Sequence, residues 1–298
     1  RYQNEYDEIE TLGKGGFGQV YKARNRLDGQ LYAIKKIKLQ SKPKEFTEDL
    51  RIVREVKTFA RISNHPNIVR YHASWIEVEE KKSKKKDRDN FDSDDSSKKQ
   101  NNLMLYLIIQ MELCSGQTLE TWIRERNQLT EKKEIHVDRK VIFKIFKQIV
   151  QAIAHVHWNG CIHRDVKPAN VFLQDGNHIL LGDFGLAKDD SETEATSAQA
   201  SNFHKFTSGV GTYIYASPEQ LASSQGYDNK TDIYSLGILL FELLWPFKTG
   251  MERIKTLTNI RNGKFPENFV EKWPLELPFL KSLLNPDPAL RPTAQEIL

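Results

Sequence analysis

Between Tyr6 and Lys38 apolar and polar residues alternate, with turn signals at Gly13–Gly18 and at Asp28-Gly29. A period of two broken by glycines predicts strands joined by tight turns. From Glu45 to Ile62 the period changes: Ile52, Val53, Val56, Phe59 and Ala60 recur at threes and fours, which predicts one helix. Two further strands are expected over Ile68–Val78 and Leu103–Met111. Beyond Gln117 helical spacing takes over, and Val141, Ile142, Ile145, Phe146, Ile149, Val150 and Ile153 form an amphipathic stripe. Thr231 to Leu244 is apolar nearly all round, as a buried helix would be. Strands first and helices second predict an α+β chain. Its small sheet lobe covers residues 1–111, its connection 112–116 and its larger helical lobe 117–298. No internal repeat is visible.

Two tracts do not fit either period. Lys81 to Gln100 holds eight Lys/Arg and five Asp, too little apolar surface to offset the entropy of ordering. It reads as a disordered insertion, about 79–102, in a hairpin-like connection; a solvated loop and a partner-docking or phosphorylated segment are both open. Asp189 to Ser208, rich in Ser, Thr, Glu and Ala, reads as a long mobile loop.

The 298 residues suffice for a packed core, and 28% charged with 39% hydrophobic residues is a globular balance. The net charge is +4; without the Lys81–Gln100 tract the rest carries 36 basic and 35 acidic residues. A basic face for nucleic acid is therefore not indicated. Two cysteines, Cys114 and Cys161, are too few for a disulfide scaffold, so a reducing, cytoplasmic setting is expected. There is no N-terminal signal pattern. The longest apolar stretch, Leu236 to Phe247, is interrupted by Glu242 and too short to span a bilayer. The abrupt start and end suggest an excised domain. If the whole protein were anchored, this domain would sit on the cytoplasmic face.

The segment IHRDVKPANVF (Ile162–Phe172) puts four charged or ionisable side chains and an asparagine where apolar residues are otherwise building a core. Burying such groups is costly unless partners wait for them. Asn170 and, in GDFGLA, Asp183 are oxygen donors of the kind magnesium takes together with phosphates and water. Asp165 is then available to position a hydroxyl and accept its proton, with Lys167 two residues on to neutralise a transferring group. In LGKGGFGQV, Gly13, Gly15 and Gly18 could let backbone N–H groups approach phosphates, or could simply make a hairpin turn. Lys35, inside the apolar strand YAIKKI, either snorkels to the surface or points inward to an anion such as Glu55.

Taken together, the glycine loop, the lysine, the helix glutamate, HRDVKPAN, DFG and SPE, in that order, resemble the protein-kinase family from about Tyr6 to Leu298. The resemblance implies a bilobal fold that uses ATP and Mg2+, with 112–116 as the hinge. It implies Asp165 as catalytic base, with Asn170 and Asp183 on the metal. Lys35 would pair with Glu55 and the phosphates. Leu12, Gly13, Gly15, Gly18, Val20, Ala33, Met111, Glu112, Leu113 and Cys114 would surround the nucleotide. It also implies that Phe59, His163 and Phe184 stack, that Glu219 (in SPE, where many kinases have APE) pairs with Arg291, and that Asp232 supports the catalytic loop. Lys167 after Asp165, with GTYIYASPE, is similar to serine/threonine rather than tyrosine kinases.

LDGQLYAIKKI, HPNIVRYHASWIE, the charged insertion before LIIQMELC, and PFKTGMERIKTLTNIRNGKFP narrow the resemblance. They are similar to kinases of the α subunit of eukaryotic translation initiation factor 2, which repress translation under stress. HASWIE and YASPEQL lean to the haem-regulated branch and TLTNIRNGKFP to the endoplasmic-reticulum stress branch. The opening segment is also like the amino-acid starvation branch. The resemblance implies substrate docking at Thr249 and Glu252, where helix capping and an ordinary first-turn charge are the alternatives. It implies an N-lobe homodimer through Arg1, Glu5 and Tyr71, and autophosphorylation at Thr207 and Thr212. A different protein substrate, or a nucleotide-binding scaffold without chemistry, are the competing readings.

Overall fold

The computed structural model describes residues 1–15, 18–39, 50–80, 103–130, 138–184, 188–189, 212–222 and 228–298. The elements in chain order are α1 (Tyr2–Glu5), β1 (Tyr6–Gly15), β2 (Gly18–Asn25), β3 (Leu31–Lys38), α2 (Leu50–Ile62), β4 (Tyr71–Glu80) and β5 (Leu103–Glu112). Then come β6 (Gln117–Thr118), α3 (Leu119–Thr130), α4 (Arg139–Trp158), β7 (Cys161–Ile162), β8 (Val171–Gln174), β9 (His178–Leu181) and β10 (Lys188–Asp189). The last are α5 (Pro218–Ala222), α6 (Lys230–Leu244), α7 (Gly250–Arg261), α8 (Glu267–Lys272), α9 (Glu276–Leu283) and α10 (Ala294–Ile297).

The chain divides into two compact units, Arg1–Val53 with Tyr71–Leu113, and Arg54–Arg70 with Cys114–Leu298. The first is an antiparallel five-stranded sheet in the order β1-β2-β3-β5-β4. Its β2–β3 turn falls at the Asp28-Gly29 signal: Asn25 Oδ1 accepts the N–H groups of Leu27 and Asp28, and Gly29 takes φ +70°. One face packs Tyr2, Tyr6, Ala23, Ile34 and Ile108 into an apolar cluster joined by Tyr32, Trp75 and Tyr106. Because side chains alternate along a strand, Ala33 and Lys35 belong to the opposite face.

The second unit is mainly helical, with two small sheets, β6-β8-β9 and β7-β10. Asp138 starts α4 by accepting the N–H groups of Lys140 and Val141, an N-cap that satisfies donors the helix cannot. Every residue of α6 from Thr231 to Leu244 is buried, in line with the all-round apolar pattern. It packs closely on α9: a Cβ at Gly237 would lie 2.8 Å from the Leu284 side chain.

Two boundaries differ from those expected. The strand expected from Ile68 starts at Tyr71, because β9 takes the preceding backbone groups. Val69 N–H donates to Leu181 O at 2.9 Å, and Leu181 N–H to Asn67 O at 2.8 Å. Residues 54–70 accordingly group with the second unit rather than with the sheet. The Asn67 side chain adds bonds to Gln148 Oε1 and Ile179 O, both at 3.1 Å. The charged insertion, apart from its first residues in β4, and nearly all of the Asp189–Ser208 loop lie outside the described residues. Among the described residues no helix is long and apolar enough to cross a membrane.

Candidate active site

In the second unit a tight loop links β7 to β8 and carries His163 to Asn170. Its conformation is set from below by one carboxylate. Asp232, in the first turn of α6 and 0% exposed, accepts the backbone N–H groups of His163 (Oδ2, 2.9 Å) and Arg164 (Oδ1, 2.8 Å). His157 Nε2 lies 2.8 Å from Oδ2. Burial by itself would raise the Asp232 pKa, but the hydrogen bond from His157 and the charges of His157 and His163 hold it below the ordinary value. Arg164 adopts φ +70°, a left-handed conformation costing about 1–3 kcal/mol in a residue with a side chain. The Asp232 bond and a 3.3 Å bond from Gln220 Nε2 to Arg164 O hold it there.

The strained turn presents Asp165. Lys167 Nζ meets its Oδ2 at 2.8 Å, and Asn170 Nδ2 donates to Oδ2 at 2.9 Å and to the Asp165 carbonyl at 2.8 Å. Burial raises the Asp165 pKa, Lys167 opposes this, and the negative charge of Asp183 adds to the rise. Asp165 is thus a carboxylate of raised basicity, fixed by two neighbours and adjacent to a second acid.

Asp183 follows β9 with φ +57°, a conformation that aspartate tolerates, and is exposed. Phe184 behind it is buried and stacks on Phe59 (centroids 5.3 Å) and against His163 (4.8 Å). His163 Nε2 in turn lies 3.1 Å from Gly182 O. Two segments, 163–170 and 182–184, are thereby locked together.

The first unit brings together most residues expected around a nucleotide. Gly13 pairs with Val20, Val20 with Lys35, Lys35 with Ile109, and Ala33 with Met111. Directly paired residues share a face, so Gly13, Val20, Ala33, Lys35 and Met111 line the sheet face opposite the aromatic cluster. Lys35 is only 9% exposed, which rejects the surface-snorkelling alternative. Gly15 pairs with Gly18, whose φ is +122° and where a Cβ would sit 2.2 Å from Lys36 O. Only glycine fits that approach. Leu12 is exposed beside the bulge at Thr11–Gly13. Glu112 ends β5 and Leu113 ends this unit, both half-buried, while Cys114, also half-buried, begins the longer segment of the second unit. Glu55 lies on α2, and its side chain is outside the described residues.

Glu219 and Arg291 form a bidentate pair in the second unit (2.6 and 2.9 Å), and the fully buried Arg291 side chain also donates to the carbonyls of Asn285, Pro286 and Lys230. Thr249 caps α7 by accepting Glu252 N–H at 3.0 Å, and Glu252 reaches back to Lys248 N–H at 2.8 Å. The capping reading of Thr249 is therefore real, and its exposed position leaves docking compatible with it. In the first unit Arg1 and Glu5 pair at 2.9 Å, and Tyr71 Oη bonds Ser74 Oγ at 2.8 Å. Thr212 begins a 3-10 turn to Ile214; Thr207 lies outside the described residues.

Sequence reasoning passed over His157, which meets Asp232, Gln220, which bonds Arg164 O, and Tyr215 after Thr212, together with Arg253 and Arg261, which bond Tyr215 and Ile214. Glu242 was visible only as a charge interrupting an apolar run, and nothing along the chain named its partners.

Comparison with known proteins places this geometry in context. The protein kinase domain family matches residues 6–298. Over 100% of its length the chain is 39% identical to the interferon-induced, double-stranded RNA-activated protein kinase of Mus musculus, covering 51% of that protein. It is 38% identical to eIF-2-alpha kinase GCN2 of Arabidopsis thaliana, covering 25%, and 33% identical to eukaryotic translation initiation factor 2-alpha kinase 1 of Mus musculus, covering 67%. The chain thus spans between a quarter and two thirds of these relatives. With a family match over nearly its whole length and the braced Asp165 loop described above, the chain belongs to the protein kinase domain family.

Proposed function

We propose that this domain transfers the γ-phosphoryl group of ATP to a serine or threonine hydroxyl of a protein, and that the protein is the α subunit of translation initiation factor 2. The observation that carries the transfer reading is the bracing of Asp165 between Lys167 and Asn170, with its basicity raised by burial. The substrate reading rests on the similarity to proteins named as kinases of that factor.

The donor chemistry suits magnesium. The amide nitrogen of Asn170 is committed to Asp165, which turns its oxygen the other way, and Asp183 offers an exposed carboxylate. One amide and one carboxylate oxygen, completed by phosphates and water, is a usual magnesium complement. When bound, the ion would neutralise charge on the phosphates. Asp165 would orient the acceptor hydroxyl and take its proton. Lys167, held at Asp165, would balance charge at the same point. In the first unit the face carrying Gly13, Val20, Ala33, Lys35 and Met111 would receive nucleotide, with the Gly18 backbone approaching closely.

Regulation follows the same family logic as a proposal. Thr207 and Thr212 would be autophosphorylated, Thr249 and Glu252 would contact the substrate, and Arg1, Glu5 and Tyr71 would join two copies. The deciding experiment is transfer of radiolabel from ATP to the isolated factor subunit, with a Ser→Ala acceptor as control. Label in the wild-type acceptor alone is expected. An enzyme that labels itself but never the factor would remove the substrate assignment.

A further inference from the structure

Helix α7 grips the segment after Thr212 at two points. Arg253 Nη2 donates to the Tyr215 hydroxyl at 2.7 Å, while its Nε pairs with Glu242 Oε1. The Tyr215 hydroxyl donates in turn to Glu242 Oε2. Two turns on, Arg261 Nη1 donates to the carbonyls of Ile214 (2.9 Å) and Ala216. Arg253, Leu257 and Arg261 recur at fours, so they share the inner face of α7, where Leu257 is fully buried. The N-terminal corner of the helix is open: Thr249 is exposed, and Met251 is 82% exposed.

From Tyr215 the contacts continue to the catalytic loop. Ser235 Oγ on α6 donates to Tyr215 O at 2.8 Å. Ser217 N–H donates to Gln220 Oε1 at 2.8 Å, and Gln220 Nε2 to the carbonyl of Arg164, the residue before Asp165. Glu242 and Tyr215 are both buried. An interior ion pair is poor value for stability alone, since apolar side chains of similar size often serve as well. It does fix one geometry, because each charged group is satisfied in a single arrangement.

We propose that Arg253 and Arg261 are positioning residues that couple α7 to the Tyr213–Ser217 segment, so that a protein seated on the exposed corner of α7 presents its hydroxyl to a segment already aligned with Asp165. This deepens the kinase reading and rests on it. The effect is on turnover of bound acceptor rather than on binding.

The test uses Tyr215→Phe, which deletes the hydroxyl but leaves the Arg253–Glu242 pair. Arg253→Lys keeps the charge but cannot meet Glu242 and Tyr215 together, and Arg261→Lys cannot span two carbonyls. Each is assayed by kcat and KM on the initiation-factor subunit and on a mixed-sequence serine peptide pool, with thermal melting alongside. Each variant should lower kcat about tenfold with little change in KM for either acceptor or ATP. The double variant Tyr215→Phe/Arg253→Lys should be no worse than its poorer parent, since both break one linkage. Multiplicative losses in the double variant, a loss confined to KM, or a lowered melting temperature with unchanged kcat would overturn the proposal. If the wild type phosphorylates the peptides but not the factor, the substrate assignment falls and the coupling is judged on the peptides. Transfer to neither acceptor overturns both.

Discussion

Asp232 holds Arg164 by its backbone: the buried carboxylate accepts the Arg164 N–H at 2.8 Å, from an α6 residue 68 positions along the chain. The same carboxylate holds His163 N–H and meets His157. The left-handed turn before Asp165 therefore depends on a fully buried charge.

Asp232→Asn should accordingly cost stability as well as turnover. An amide cannot accept with both of its atoms, so one N–H loses its partner. Hydrogen bonds to charged groups contribute about 1.5–3 kcal/mol, and a loss on the order of 3 kcal/mol is expected by denaturant unfolding at neutral pH. The pKa of Asp232 is depressed by folding, so its contribution is complete above the unfolded value of about 4 and fades as pH falls through the folded value. Wild type and variant should converge in stability at low pH; an equal gap at all pH values would refute the charge argument.

Asp165→Asn should abolish most turnover while leaving nucleotide affinity within a few-fold. A positioned general base contributes about 10²–10⁴ in rate. Single-turnover transfer and nucleotide titration separate the two, and near wild-type turnover would show that another group takes the proton.

The acid limb of kcat/KM should lie above that of an ordinary aspartate, because burial raises Asp165 and the active form is ionised. Lys167 opposes that rise, so Lys167→Ala should move the limb to higher pH besides lowering the plateau. A limb that stays in place or moves to lower pH would mean that Asp165 does not titrate in it.

Gly18→Ala should destabilise the sheet unit by roughly 2 kcal/mol or more, from left-handed strain plus the 2.2 Å contact with Lys36 O. Gly13→Ala is the control, because a Cβ there meets nothing within 4 Å. Equal melting losses in both would remove the steric account.

Arg291→Met keeps volume but strands three carbonyls and Glu219. Breaking one side of a buried charge pair costs about 3–5 kcal/mol, and a fall of that order in unfolding free energy is expected. A change below about 1 kcal/mol would show that water replaces the guanidinium.

Much of this was legible along the chain. The period-two stretch from Tyr6 and the period-3.6 stripe of α4 are local signals, because burial of one face is written into residue spacing. Asp165, Lys167 and Asn170 are also local: they lie within one turn and can only converge. The apolar pattern predicts a strand from Ile68, three residues before Tyr71, whereas the Asn67 and Val69 backbones bond to β9, a contact no local pattern encodes.

By itself, then, the sequence determined element types, their order and the residues whose chemistry suits phosphoryl transfer, since these depend on spacing and side-chain type. Tertiary structure alone decided the partners of buried charges that neither spacing nor resemblance names. Glu242 finds Arg253 and Tyr215, and Asp232 finds His157 and the Arg164 backbone, across 11 to 75 residues of chain. A buried charge must be matched by whatever the fold brings alongside it, and that neighbour is set by packing, not by sequence distance.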